Sequence, residues 1–289
     1  MSTATASAHP APGHPHTSLG RLSFPRVVRS EWIKLRTLRS TFWTLISAVV
    51  LVVGIASLVA FAIPDKATLV DRVSVAQRAA VEAQAANFAQ TAATAGLTFA
   101  SLVIAVLGVM VISGEFSTGM IRSSFTAVPR RFPVFAAKTL VLFAVAFVVG
   151  VISSAASWAV AVPILSGKGY TGDLFSSDTL WSVLGAGTYL ALVAVFALGV
   201  GAILKSTAGG IAGALGVLLV LPIIATLVTS LTRTQWVADA GHYLISNAGG
   251  GMAGLSNGGL EPWANALTVV VWAAVAFVAG AVLLQRRDA

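Results

Sequence analysis

The chain has 289 residues, of which 57% are hydrophobic and 10% charged, and its mean hydropathy is +0.89. Soluble domains carry roughly 25% charged residues, so this composition excludes a soluble protein and defines an integral membrane one. The net charge of +8 does not form a free basic domain. The basic residues cluster beside apolar runs, where topology and headgroup contact account for them, and no nucleic-acid partner is expected. With no cysteine there is no disulfide framework, thiolate metal site or Cys nucleophile.

Residues 1–20 are mostly Ala, Ser, Thr, Pro and His and read as a disordered tail. His9, His14 and His16 lack a folded frame that would fix them as metal ligands. Residues 21–41 read as an amphipathic interfacial helix. Phe24, Val28, Trp32, Leu35, Leu38 and Phe42 recur at steps of three and four, hence on one face, with Arg26, Arg29, Arg36 and Ser40 on the other. Such a helix lies on the cytoplasmic membrane surface with Trp32 at headgroup level. Glu31 interrupts the apolar stripe. Lys34, three residues on, offers a local pair, and contact with a partner protein is the other use of that charge.

Residues 42–289 form a transmembrane domain of six spans, at about 42–63, 92–113, 139–162, 180–204, 207–231 and 264–284. Each crosses ~30 Å of hydrocarbon at ~1.5 Å per residue. Ala60-Phe61-Ala62 imitates a signal cleavage site, but its run is too long for a signal h-region and is read as an uncleaved anchor. Pro64 to Thr91 is helix-prone and external. Between the second and third spans lies a polar, basic segment from Gly114 to Lys138, carrying Arg122, Arg130, Arg131 and Lys138. Those charges mark a cytoplasmic face. Pro129 stops a helix, Pro133 opens the next, and Ser117 to Ala127 has room for about two to three turns. A short cytoplasmic helix held between two spans is the result. Glu115 is placed to cap its N-terminus.

Farther on, Lys205 and Ser206 make a tight turn, and Gly209, Gly210, Gly213 and Gly216 allow close helix contact, Gly209 with Gly213 as a GxxxG pair, a flexible gate being the other reading. Ser153, Ser154 and Ser157 are polar enough to face a pathway between chains, and serine pairs also stabilise helix packing, so no role is assigned to them. Thr232 to Trp263 is too weakly apolar to span and should form short external helices at the outer leaflet. His242 and Tyr243 read there as interfacial packing residues, and the glycines of 249–259 as a flexible tract. Both termini then lie in the cytoplasm, with 13 Lys and Arg residues inside and 5 outside.

The apolar bodies of the six spans contain no Asp, Glu, Lys, Arg or His. Ion-coupled carriers use such groups near mid-membrane, so a self-powered carrier is disfavoured. No HExxH motif or aspartyl pair supports an intramembrane enzyme. GVGAILKS at Gly199 to Ser206 imitates a phosphate loop, but Leu204 stands where glycine is required and no strand precedes it. If the protein moves anything, the energy must come from elsewhere.

Three stretches in order carry a family resemblance: SEWIKLRTLRSTFW (Ser30 to Trp43), EFSTGMIRSSFTAVPRRFPVFAAK (Glu115 to Lys138) and YLISNAGGGM (Tyr243 to Met252). With the matching spans they resemble the permease subunits of ABC-2-type ABC exporters, particularly the small six-span permeases of actinobacteria. Met120 stands where that family usually has Thr, and Ile245 where it usually has Pro. The resemblance implies an all-α membrane fold of the type V exporter kind: six transmembrane helices, an N-terminal interfacial helix and a cytoplasmic coupling helix. It implies a bacterial plasma-membrane complex of two ABC ATPase subunits and two permeases, identical or related, amid membrane lipid. This chain would hold no cofactor, with ATP and Mg bound by the ATPase. Glu115, Phe116, Gly119, Ile121 and Arg122 would belong to the ATPase contact, and Glu31, Trp32 and Lys34 to the interfacial helix. The substrate would be a hydrophobic or amphipathic compound moved outward. A non-transporting scaffold or an immunity protein is the alternative reading, in which the cytoplasmic segment is a connector only.

Overall fold

The computed structural model describes residues 23–71, 74, 78, 87–119, 131–173, 175–255 and 259–286. The tail at 1–20 with its three histidines, and Ile121, Arg122, Pro129 and the helix expected at 117–127 beyond Gly119, lie outside the described residues. Backbone polar groups in hydrocarbon must be satisfied within the segment, which favours helices for apolar runs of this length. Among the described residues there are helices and no strands, and six helices are long and apolar enough to cross a membrane.

The chain opens with α1 (Phe24–Thr37) and α2 (Arg39–Ala62), the latter the first spanning helix. A short α3 (Lys66–Asp71) precedes α4 (Phe88–Thr94) and α5 (Leu97–Ser117), which together make the second span. The third is α6 (Arg131–Ser166) and the fourth α7 (Ser177–Leu204). The fifth is α8 (Thr207–Leu215), a π-turn (Gly216–Val220) and α9 (Leu221–Thr232). Two short helices follow, α10 (Gln235–His242) and α11 (Ile245–Met252), before the sixth span, α12 (Pro262–Arg286).

The fourth span is the hub. It packs against the second, third and sixth spans and against α8, and its apolar stretch is 72% buried, against 11% for the fifth span. Glycine makes the close crossings possible. A Cβ on Gly187 would come within 3.1 Å of the Phe147 carbonyl oxygen of α6, and one on Gly199 within 2.5 Å of the Ala276 backbone of α12. Small residues let helix backbones approach where the hydrophobic effect supplies no drive between spans. Gly199 and Gly201 of the imitation phosphate loop are thus packing residues inside a helix.

Several expectations are corrected by packing. The interfacial helix does not run to residue 41. It ends at Thr37, and Leu38 is extended (φ −78°, ψ 112°), because the chain there turns into the spanning helix α2. Its protein-facing stripe is Val27, Glu31 and Leu35, whereas Phe24 and Trp32 are about half exposed. The apolar residues therefore divide between two faces, one against protein and one open. Of the fifth-span glycines expected to pack, Gly210 lies closest, against Val109 of α5, Gly213 lies against Leu204 and Val200, and Gly209 meets only Ser206. The π-turn directly precedes Pro222, whose missing N–H and ring would clash with a regular helix; the extra residue per turn absorbs the mismatch. Ser153, Ser154 and Ser157 are buried within this one chain and do not line an outer face. Nor are the glycines near residue 250 a flexible tract only: α11 packs on the hub so tightly that a Cβ on Gly249 would overlap the Tyr189 ring at 2.0 Å. Ser182 Oγ, from the hub, donates to the Ala253 carbonyl at 2.5 Å just past the end of α11. Trp272 Nε1 donates to the Tyr243 carbonyl at 2.9 Å, and His242 borders a cavity of about 720 Å3.

At the far end of α2 from α1, Lys168 Nζ donates to the carbonyls of Ala60, Phe61 and Ile63 at 3.1, 2.6 and 2.6 Å. The last carbonyls of a helix have no intrahelical donor, and this lysine from the loop after α6 supplies one with favourable charge.

Candidate functional site

The second and third spans end and begin beside α1, and there four charged side chains meet. Helix α1 lays Val27 against Val134 and Ala137 of α6 in a small apolar contact. One turn on from Val27, the same face points Glu31 inward. Glu115 stands in the last turn of α5, and Lys138 in the third turn of α6. Lys34 reaches over from α1.

The hydrogen bonds close a ring of alternating sign. Lys34 Nζ donates to Glu31 Oε1 at 2.7 Å and to Glu115 Oε1 at 3.2 Å. Lys138 Nζ donates to Glu31 Oε2 at 2.5 Å and to Glu115 Oε1 at 2.8 Å. The side chains of Glu31, Lys138 and Glu115 are 4%, 5% and 10% exposed, and that of Lys34 is 34% exposed. Two carboxylates and two ammonium groups cancel, so the ring places no net charge in a dry site. Burial pushes the Glu31 carboxyl up, but the attraction and hydrogen bonds of Lys138 and Lys34 outweigh it and hold the group below its ordinary value. Burial pushes the Lys34 ammonium down, and its bonds to Glu31 and its attraction to Glu115 outweigh that, leaving it above the ordinary lysine value.

The local Glu31–Lys34 pair expected from spacing is present, and it is half of a larger arrangement. The helix that Glu115 was expected to cap lies outside the described residues. Glu115 itself belongs to the C-terminal turn of α5, where a carboxylate meets the negative end of the helix dipole. The two lysines compensate. Phe116 is half-buried, and Lys205 Nζ sits 5.4 Å from its ring centroid, linking the end of α5 to the turn before α8. Thr207 Oγ1 donates to Ser113 Oγ at 2.9 Å in the same region. Gly119 has φ +69°, and its N–H bonds the Phe116 carbonyl at 3.3 Å, so it terminates α5 in the left-handed manner glycine permits. Trp32 lies away from the ring, on the open side of α1.

Sequence reasoning assigned Lys138 to topology and missed it as a ring member. The available signal was Glu31 at four-residue spacing between Val27 and Leu35, a buried position that demands a cation. That the cation is more than a hundred residues away was not readable from spacing.

A family model for ABC-2 family transporter proteins matches residues 27–215. That range takes in all four ring residues and the chain from the first turn of α1 through α8. The protein belongs to the ABC-2 transporter family, and within it is a multi-pass membrane subunit, the permease of an ABC transporter rather than an enzyme. Permeases of this family generally work with an ABC ATPase partner. No curated protein matches the chain.

Proposed function

We propose that this chain is the permease of an ATP-driven exporter, and that the segment between Glu115 and Lys138 receives the push of a separate ATPase. The supporting observation is the ring. The chain leaves the second span at Ser117 and re-enters the third from Arg131, and Glu115 and Lys138 bond to each other across that gap. Glu31 and Lys34 tie both to α1. A displacement of the segment therefore reaches two spans and the interfacial helix together. The family resemblance adds the rest: Phe116, Gly119, Ile121 and Arg122 at the contact, two ATPases binding ATP and Mg, a second permease chain and a hydrophobic or amphipathic cargo. The excess of Lys and Arg on the α1 side supports a cytoplasmic placement of both termini, and the family resemblance supports a bacterial plasma membrane.

Coupling requires the ATPase to bind the two permease states with different free energy. The test is copurification with an ATPase subunit and ATP-dependent transport in proteoliposomes. Gly119→Trp combined with Arg122→Glu should abolish ATP-dependent transport and weaken the association. Normal association and efflux in that variant would refute the assignment.

A further inference from the structure

A cleft of about 390 Å3 opens beside the ring, between the α1–α2 junction and α5. That volume is within the roughly 300–1,000 Å3 of small-molecule sites. Leu107, Met110 and Val111 of α5, Val141 of α6 and Leu38 at the junction give it an apolar lining. Leu38 and Met110 are about half exposed, so the apolar part is open at the side. At the junction end the lining turns polar, with Thr37, Ser40 and Thr41. One end suits a hydrocarbon chain and the other a headgroup.

The charge at that end decides the headgroup. The two carboxylates of the cleft are those of the ring, buried and already bonded to lysines. The cations are more accessible: Lys34 is one-third exposed, and Arg36 and Arg39, both exposed, bracket the junction in sequence. Leu38, the N-cap residue of α2, makes no side-chain cap, and Ser40 and Thr41 of the first turn line the cleft. The uncapped positive end of a 24-residue helix adds to the same sign.

We infer that the cleft holds one anionic phospholipid from the leaflet on the α1 side. Its phosphate lies at the polar end near Arg36, Arg39 and the start of α2, and one acyl chain lies along Leu107, Met110 and Val111. The occupant braces the junction that lets α1 and α2 take different directions, and with it the α1 side of the ring.

The test uses the full-length chain, purified and exchanged into micelles holding equal amounts of phosphatidylglycerol and phosphatidylcholine. Native mass spectrometry reads the last lipid retained. Each cation near a headgroup contributes about 1 kcal/mol, or about fivefold. Phosphatidylglycerol should be retained at least about fivefold over phosphatidylcholine, and Arg36→Gln and Arg39→Gln should each lower its retention about fivefold. Met110→Trp should fill the cleft and remove the bound lipid, and excess inorganic phosphate should leave it in place. Equal retention of the two lipids, retention unchanged in the arginine variants, or displacement by inorganic phosphate alone would overturn the inference. Should Met110→Trp not fold, the exposed arginines still decide. The readout is lipid mass, so a negative result leaves the permease assignment standing.

Discussion

Lys138 is buried, its side chain 5% exposed, and bonded to both Glu31 and Glu115. Removing one partner of a buried ion pair strands the other, at a cost of about 3–5 kcal/mol. Lys138→Met should therefore destabilise the protein by about that amount, read as loss of thermal stability in detergent. Lys34→Met should cost clearly less, since that side chain is one-third exposed and water screens it. The acid side of the ring has a pH signature. The folded Glu31 carboxyl lies below its ordinary value of 4.5, so its contribution is complete above 4.5 and is lost as pH falls through the lower, folded value. The stability difference between wild type and Glu31→Gln should be flat from neutral pH down to about 4.5 and shrink below it. A difference that already declines between pH 7 and 5 would contradict the pairing. At the alkaline end the sign reverses: the Lys34 contribution is complete below its ordinary 10.5 and fades only as pH rises through the higher folded value.

Among the elements, α2 is anchored at both ends by groups far away in sequence. The ring and the α1 contact hold the chain where it enters α2, and Lys168 holds the last carbonyls. Lys168→Ala should fray that end, with a loss of about 1–3 kcal/mol for charge-assisted hydrogen bonds and faster amide exchange confined to residues around Ala60 to Ile63. Unchanged exchange there would show that the cap is idle. This scale also separates what could be read from what could not. The spans were legible because an apolar run of about 20 residues has one stable form in lipid. The end of α1 at Thr37 was not, because Leu38 and Phe42 continue the helical spacing and only the turn into α2 breaks it. The fifth-span glycines were legible as packing residues, but that Gly210 and not Gly209 would lie against α5 was not, since facing direction is set by the tertiary arrangement. The glycines near residue 250 were composition until the Tyr189 ring was found against Gly249.

At the scale of the whole molecule, a rigid hub and a tied set of feet divide the work. The fourth span binds its neighbours through glycine crossings, so the spans move as packed bodies. Gly187→Leu should disrupt the crossing with α6 and lower the yield of folded protein, measured by monodispersity in detergent; a well-folded variant would show that the crossing has slack. Against this hub the ring joins α1, α5 and α6. Its members were each visible in the sequence, but Glu115 was read as a helix cap or partner contact, Lys138 as a topology charge and Glu31 as a local pair or partner contact, because alternation in space leaves no alternation in sequence. Coupling through the ring can be separated from its stability. Glu115→Gln with Lys138→Met removes one charge of each sign and leaves the Glu31–Lys34 pair, and neutral replacement of a buried pair is often close to neutral in stability. The decisive measurement is the number of cargo molecules moved per ATP hydrolysed by this double variant, reconstituted in vesicles with its ATPase. Continued hydrolysis with transport per ATP reduced at least about tenfold is the predicted result, and an unchanged ratio would contradict transmission through the ring.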